Sequence, residues 1–171
     1  MADIHEVLLT AELPAELPDT ELAELRWHLG LGPHPERCVI VVDHWPVRTV
    51  DEEGEPLPED RWEVERYPLL DARGAADPRI GGAVLSALVR RDGPGDPGWA
   101  LTSRQVLHAE EFPLLEQLLR WLRQRATGHR GGPARLHCHI RSPEDGPVLR
   151  PVPLDGAGLD GLGSEGAGVE P

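Results

Sequence analysis

The fold is most clearly predicted by residues 99–141, WALTSRQVLHAEEFPLLEQLLRWLRQRATGHRGGPARLHCHIR. Their pattern indicates a strand, a helix and a strand in succession. The two outer segments, 99–108 and 134–141, have the composition and patterning of strands. Between them Pro113 suits the first turn of a helix, and Gly128 marks its end. The predicted helix has an apolar stripe at helical spacing, formed by Leu115, Leu118, Leu119, Leu122 and Ala126.

The segment that precedes this unit predicts a second strand beside 99–108. Residues 83–91 are rich in aliphatic side chains, and the turn-rich connector RDGPGDPG separates them from the next strand. Two such segments joined by a connector of this kind favour antiparallel pairing. After 134–141, the turn SPEDG precedes a short edge strand that we predict around 148–152.

The N-terminal part predicts a strand followed by a short helix. Apolar residues alternate with polar ones in the strand, which buries Val7, Leu9, Ala11 and Leu13. In the helix Leu22, Leu25 and Leu29 share one face. We expect Asp19 or Thr20 to cap its beginning and Gly30 to end it in a left-handed conformation.

The stretch CVIVVDHWPV, residues 38–47, opens with five apolar residues and predicts a central strand covered on both faces. Pro46 limits how far it can pair inside a sheet. The acidic run 51–60 then predicts a loop, and residues 62–67 predict a returning strand. An exposed hairpin over 39–67 is the simplest interpretation.

These elements predict an α+β fold with a mostly antiparallel sheet of about five to seven strands and two helices packed on one face. Leu25-Arg26-Trp27 in the first helix matches Leu119-Arg120-Trp121 in the second, and a Cys-x-Ile sequence follows each. A duplicated strand-helix-strand unit would give a pseudo-symmetric, ferredoxin-like sandwich. Chance matching of such short strings is the alternative explanation.

We expect residues 1–153 to form a single domain and residues 154–171 to form a disordered, Gly-rich acidic tail. The tail has no periodic pattern of apolar residues with which to bury surface against the fold. Truncation after Leu154 should therefore leave the thermal unfolding midpoint within a few degrees of the full-length value, as measured by circular dichroism. A large fall in the midpoint would contradict this domain boundary.

Charge and composition exclude several classes of function. The net charge is −13, but residues 51–60 and 154–171 hold ten carboxylates and no base, which leaves only about −3 for the rest. A nearly neutral body argues against nucleic acid as a ligand. All 17 basic residues are arginine, so lysine chemistry such as Schiff-base formation is excluded.

The sequence also predicts a cytoplasmic protein without a membrane span. MADIHEVLLTAELP has acidic residues where a signal peptide carries positive charge, and no segment approaches 18 consecutive apolar residues. Cys38 and Cys138 are too few for a disulfide framework. We expect both to be small buried side chains in a reducing compartment.

One candidate ligand site is the predicted strand ARLHCHIR. Strand alternation places Arg135, His137, His139 and Arg141 on one face. Two histidines at this spacing can bind one metal, but the arginines repel a divalent cation and no third ligand is apparent. An anion-binding stripe and a solvated sheet face are the other interpretations.

Asp43 and His44 form a second candidate, at the end of the apolar strand. Cys38 or Cys138 could complete a Cys-His-Asp arrangement, but adjacent strand residues point to opposite faces and a thiol in apolar surroundings is inert. No phosphate-binding loop, dinucleotide fingerprint, nucleophile elbow or zinc-protease motif occurs in the sequence. We therefore predict no catalytic residue, no metal and no cofactor.

The sequence favours a non-enzymatic protein-protein interaction or regulatory domain of the adaptor, inhibitor or neutraliser type. Its predicted contact surface is the hairpin, with an acidic loop flanked by tryptophans. The residues concerned are Trp45, Glu52, Glu53, Glu55 and Trp62. The alternative is a small-molecule- or anion-binding domain or small enzyme in which Asp43, His44, His137 and His139 converge on a cleft.

Overall fold

A six-stranded antiparallel sheet organises the fold of the computed structural model, which describes residues 4–44, 46–47, 50–58, 61–94 and 96–154. A separate pair of short strands forms a second sheet. In chain order the strands are β1 (Ile4–Pro14), β2 (Pro46–Val47), β3 (Glu63–Val64), β4 (Gly74–Ala75), β5 (Ala83–Arg91), β6 (Gly98–His108), β7 (Leu136–Arg141) and β8 (Arg150–Pro151). The large sheet has the order β4-β5-β6-β1-β7-β8, and β2 pairs with β3.

Strand β1 lies at the centre of the large sheet. It pairs with β6 from Ile4 opposite His108 to Pro14 opposite Gly98, and β7 lies on its other side. Directly opposed residues of an antiparallel pair share a face. The alternation predicted for β1 is confirmed, and its core face carries the buried side chains of Val7, Leu9, Ala11 and Leu13.

The two helices, α1 (Asp19–His28) and α2 (Phe112–Arg125), cover this core face. Leu115, Leu118 and Leu122 are fully buried, as the stripe of α2 predicts. Glu21 of α1 joins the helices, because its carboxylate accepts hydrogen bonds from the Trp121 indole at 3.0 Å and from Arg125 at 2.6 Å and 2.9 Å. These contacts confirm the α+β class with two helices on one face.

The central strand predicted over 38–47 is wrong. Among the described residues of this stretch, 38–44 are irregular and only Pro46–Val47 forms a strand, the short β2. The backbone N–H groups of Val39, Ile40 and Val41 donate to the buried Glu24 carboxylate of α1. A side chain thus supplies the acceptors that a neighbouring strand would otherwise provide, and the segment packs on the helices instead of entering the sheet.

The ends of α1 agree only in part with the prediction. The residue before its first turn is Pro18, so neither Asp19 nor Thr20 caps the helix with its side chain. Gly30 does adopt a left-handed conformation, with φ of +64°. A Cβ atom there would lie 2.9 Å from the Cβ of Asp71, so the chain needs glycine for space as well as for conformation.

The internal duplication is not confirmed. The second strand-helix-strand unit exists as β6, α2 and β7, but of the strand expected after α1 only the two residues of β2 form, outside the large sheet. The predicted hairpin over 39–67 is reduced to β2 and β3, with two residues each. No helix in the described part of the chain is long and apolar enough to cross a membrane.

Candidate functional site

The acidic loop of the β2–β3 hairpin is folded around Asp51. Its carboxylate accepts hydrogen bonds from the backbone N–H groups of Glu53, at 3.1 Å, and Glu55, at 2.8 Å. The Asp51 N–H donates to the Glu55 carbonyl, and Val50 forms a bridge with Pro56. Asp51 is therefore a structural residue that closes the turn.

The remaining glutamates of this turn point to solvent. Glu52, Glu53 and Glu55 are exposed, and no ion pair joins their side chains to another described residue. The turn's own hydrogen bonds hold the backbone from which these carboxylates project. We call residues 50–56 the acidic turn.

Trp62 anchors the base of the acidic turn. Its indole N–H donates to the Leu57 carbonyl at 2.9 Å, and its side chain is half-buried. Trp45, the other tryptophan predicted to flank the loop, lies outside the described residues. The structure therefore places four of the five residues predicted for the hairpin surface.

Exposed aliphatic side chains accompany the acidic turn. Among the described residues seven large hydrophobic side chains are exposed, and four of them belong to residues 39–64. They are Val39, Val42, Val50 and Val64, with exposed fractions of 37% to 55%. Of these, Val50 belongs to the acidic turn itself and Val64 to β3, so exposed apolar and charged side chains occur together on the hairpin.

The predicted stripe of β7 lies on the open face of the sheet. Cys138 and Ile140 are buried in the core, and the alternation places Arg135, His137, His139 and Arg141 on the opposite side. On this side Leu85 and Val89 of β5 are also exposed, so the face is open to solvent.

Two glutamates of β1 form ion pairs with the arginines of this stripe. Glu6 is almost completely buried and pairs with Arg141 at 2.6 Å and with Arg104 at 2.7 Å. Glu12 pairs with Arg135 at 3.1 Å and with Arg91 at 3.5 Å. Because these carboxylates already accept the guanidinium N–H groups, the stripe resembles a cross-strand ion-pair ladder more than an open anion site.

Asp43 and His44 lie on the helical side of the molecule. The Asp43 N–H donates to the Gln117 side chain of α2 at 3.1 Å, and the buried His44 ring contacts the Val41 carbonyl through Nε2 at 3.0 Å. Burial lowers the pKa of His44. Since His137 and His139 are on the open face of the sheet, the structure does not bring the four residues to a common pocket.

Neither cysteine has the surroundings of a nucleophile. Burial raises the pKa of the Cys138 thiol to about 12, and burial followed by the nearby Glu24 carboxylate raises that of Cys38, which is only half-buried. A thiol of this kind is almost entirely protonated at neutral pH. Within the described ranges, no group of three His, Cys, Asp or Glu side chains has a geometry that could hold a metal ion.

The structure adds a cleft that sequence reasoning missed. It has a volume of about 610 Å³ and lies where β1 and α2 end, lined by Glu16, Asp96, Thr127 and the glycines that follow. At its edge Asp96 Oδ2 lies 2.6 Å from His129 Nδ1. Asp96 belongs to the predicted connector RDGPGDPG and His129 to the Gly-rich stretch that follows α2, so only their shared position near the end of β1 could have indicated the pair.

Comparison of the chain with protein-family models, curated proteins and solved structures finds no significant match. The functional argument therefore rests on the chain's own geometry.

Proposed function

We propose that the protein is a non-enzymatic interaction or regulatory domain that contacts a basic partner protein through the β2–β3 hairpin. The observation that carries this proposal is the combination of an acidic turn closed by Asp51 with exposed valines next to it. Trp45 is included in the proposed surface on sequence grounds. Two unpaired cysteines are consistent with a cytoplasmic location, which we also propose.

The charges of the acidic turn indicate the kind of partner. Glu52, Glu53 and Glu55 are exposed without ion-pair partners among the described residues, so a complementary surface would carry arginine or lysine. Exposed charges of this kind steer a partner toward the surface and set its orientation. They contribute more to the association rate than to the lifetime of the complex.

The apolar residues of the hairpin would supply the lasting contacts. Val50 and Val64 are 54% and 44% exposed, and Trp62 presents the part of its ring that the fold leaves uncovered. Buried aromatic and aliphatic anchors usually dominate the binding energy at the centre of an interface. The hairpin therefore combines an apolar contact region with a charged rim.

The positions of the other chemistry-bearing residues support a binding role over catalysis. The arginines of the β7 stripe are paired with Glu6 and Glu12, and His44 contacts the backbone of its own segment. Cys138 is buried with a raised pKa. These contacts hold the residues within the fold, which supports a binding role for the hairpin.

To test the proposal, wild-type protein and a variant with Glu52, Glu53 and Glu55 changed to Gln are used to capture partners from native lysate, and the kinetics of the recovered complex are measured. We expect the Gln variant to associate roughly tenfold more slowly at low ionic strength and to converge with wild type in high salt. A matched control changes Glu36, Glu110 and Glu144 to Gln, which alters the net charge equally outside the hairpin.

Trp62→Ala should act on dissociation instead. We expect a loss of roughly 2 kcal/mol or more at any salt concentration, with Trp62→Phe as the control that keeps a ring without the indole N–H. Circular dichroism checks that both variants fold. Unchanged binding by the triple Gln variant and Trp62→Ala at two ionic strengths would remove the hairpin from consideration.

A further inference from the structure

Residues 38–44 are attached to the helices by side chains, and we call them the strap. Five consecutive backbone N–H groups of the strap donate to side-chain oxygens. Those of residues 39–41 donate to the Glu24 carboxylate of α1, and those of Val42 and Asp43 donate to the Gln117 amide oxygen of α2 at 3.1 Å each. Since no described strand pairs with the strap, its separation from the helices breaks no pairing of the large sheet.

His44 closes the strap at its C-terminal end. Its side chain is only 9% exposed, and Nε2 lies 3.0 Å from the Val41 carbonyl oxygen. A carbonyl oxygen only accepts, so Nε2 carries the proton of the neutral ring and Nδ1 carries a lone pair. Nδ1 is buried and has no hydrogen-bond partner among the described residues. A second proton would therefore create a buried, charged N–H group without an acceptor.

The surroundings of His44 oppose that second proton. Burial is the main reason that the pKa of His44 lies below its ordinary value, and the charges of Arg66 and of His28 on α1 lower it further. The Val41 carbonyl and the Glu24 carboxylate act in the opposite direction and are outweighed. Protonation therefore favours a state in which the ring has reached water, and the ring reaches water when the strap opens.

We propose that the strap is a pH-sensitive device that opens when His44 takes up a proton. Pro46, the first residue of β2, follows His44 by two residues, so opening also changes how the β2–β3 hairpin is attached to the helices. The proposal does not depend on the binding role of the hairpin. It concerns the attachment of residues 38–44 and is tested on the chain alone.

The pH range of the opening follows from the two states of His44. In the open strap the ring has its ordinary pKa of 6.5, and in the closed strap its pKa is lower. The closed strap is therefore favoured fully above pH 6.5 and progressively less as the pH falls toward the lower value. Because Ile40 and Val41 are buried in the core, the closed strap dominates at neutral pH. One proton taken up on opening raises the ratio of open to closed strap by at most about tenfold per pH unit.

The test is hydrogen-deuterium exchange of the full chain from about pH 8 to about pH 5, expressed as protection factors that remove the intrinsic pH dependence of exchange. We expect the amides of Ile40 and Val41 to keep constant protection above about pH 7 and to lose about tenfold by pH 5. The amide of Leu118 in α2 should stay protected. The His44 ring, followed by NMR in the same samples, should titrate below pH 6.5.

Variants separate the proton from the packing of the ring. In His44→Gln an amide N–H can donate to the Val41 carbonyl but no proton is taken up, so protection of the strap should not change over this pH range. His137→Gln, which removes an exposed ring on β7, is the matched control and should keep the wild-type dependence. Circular dichroism at about pH 8 checks folding, and the wild-type measurements decide alone where His44→Gln does not fold.

Four results would each overturn the proposal. They are constant protection of the strap in the wild type, an equal pH dependence in His44→Gln, a loss of protection that extends equally to Leu118, and titration of the His44 ring at pH 6.5 or above. The third result would show that acid unfolds the whole chain. The fourth would show that the closed strap does not disfavour the charged ring.

Discussion

Glu24→Ala is expected to destabilise the fold by about 3 to 5 kcal/mol, measured by chemical denaturation. The Glu24 carboxylate is completely buried and accepts hydrogen bonds from Val39, Ile40 and Val41, with His28 at 3.6 Å. Alanine would leave the three backbone N–H donors without an acceptor. Residues 38–44 would then have to leave the helices for these donors to reach water. Arg26→Ala, an exposed change on the same helix, is the control and should cost much less.

The reactivity of the Cys38 thiol shows whether residues 38–44 have separated from the helices. It is half-buried next to the Glu24 contact, whereas Cys138 is buried in the core. In Glu24→Ala we expect one thiol to react quickly with a disulfide reagent under native conditions and the other to stay protected. An unchanged free energy of unfolding with both thiols protected would show that Glu24 does not hold the segment.

The same carboxylate gives a pH dependence of defined sign. Burial by itself raises the pKa of Glu24, but His28 and the three backbone N–H donors outweigh burial and hold the pKa below the ordinary value of 4.5. A lowered pKa in the folded state means stability that is present above about pH 4.5 and is lost as the pH falls through the folded value. Glu24→Gln should lack this part of the acid sensitivity, and the difference between the two unfolding curves against pH measures it.

Leu118→Ala and Leu122→Ala should each lower the free energy of unfolding by roughly 2 to 5 kcal/mol. Both side chains are fully buried between α2 and the core face of the sheet, so truncation removes apolar contacts and leaves a cavity. Arg123 is exposed on the opposite side of α2, and Arg123→Ala should cost about 0.5 kcal/mol or less. Similar losses at all three positions would contradict the assignment of the buried face.

The sequence predicts a helix or strand correctly when the element buries one face, because burial of that face leaves a regular pattern of apolar residues in its own sequence. In β1 and β7 the alternation of buried and exposed positions shows the face directly, and in α2 the leucine stripe does so. Residues 38–44 carry an equally clear apolar run, but a run without alternation does not distinguish a strand from a buried irregular segment. The deciding partner, Glu24, is a side chain on another element, which the pattern of the segment itself cannot reveal.

The same distinction applies to the candidate surfaces: local features were predictable, and contacts between distant elements were not. Exposure of Glu52, Glu53 and Glu55 follows from the local concentration of like charge and was predictable. The pairing of Arg135 and Arg141 with glutamates of β1 depends on strand order, which local periodicity does not contain. Asp96 and His129 meet because two loops happen to end beside the same strand. Strand β4, with two residues, has no pattern long enough to detect.

The central position of β1 has a consequence for how the protein is made. Its partners along both edges come from the C-terminal half of the chain, in pairs such as Ile4 with His108 and Glu6 with Arg141. Contacts between such distant residues require large loops to close, so folding should be slow for a chain of this length. During synthesis β1 leaves the ribosome before β6 and β7, the two strands with which it pairs. One edge of β1 therefore stays unpaired until β6 has been made, and the other stays open until translation has passed Arg141.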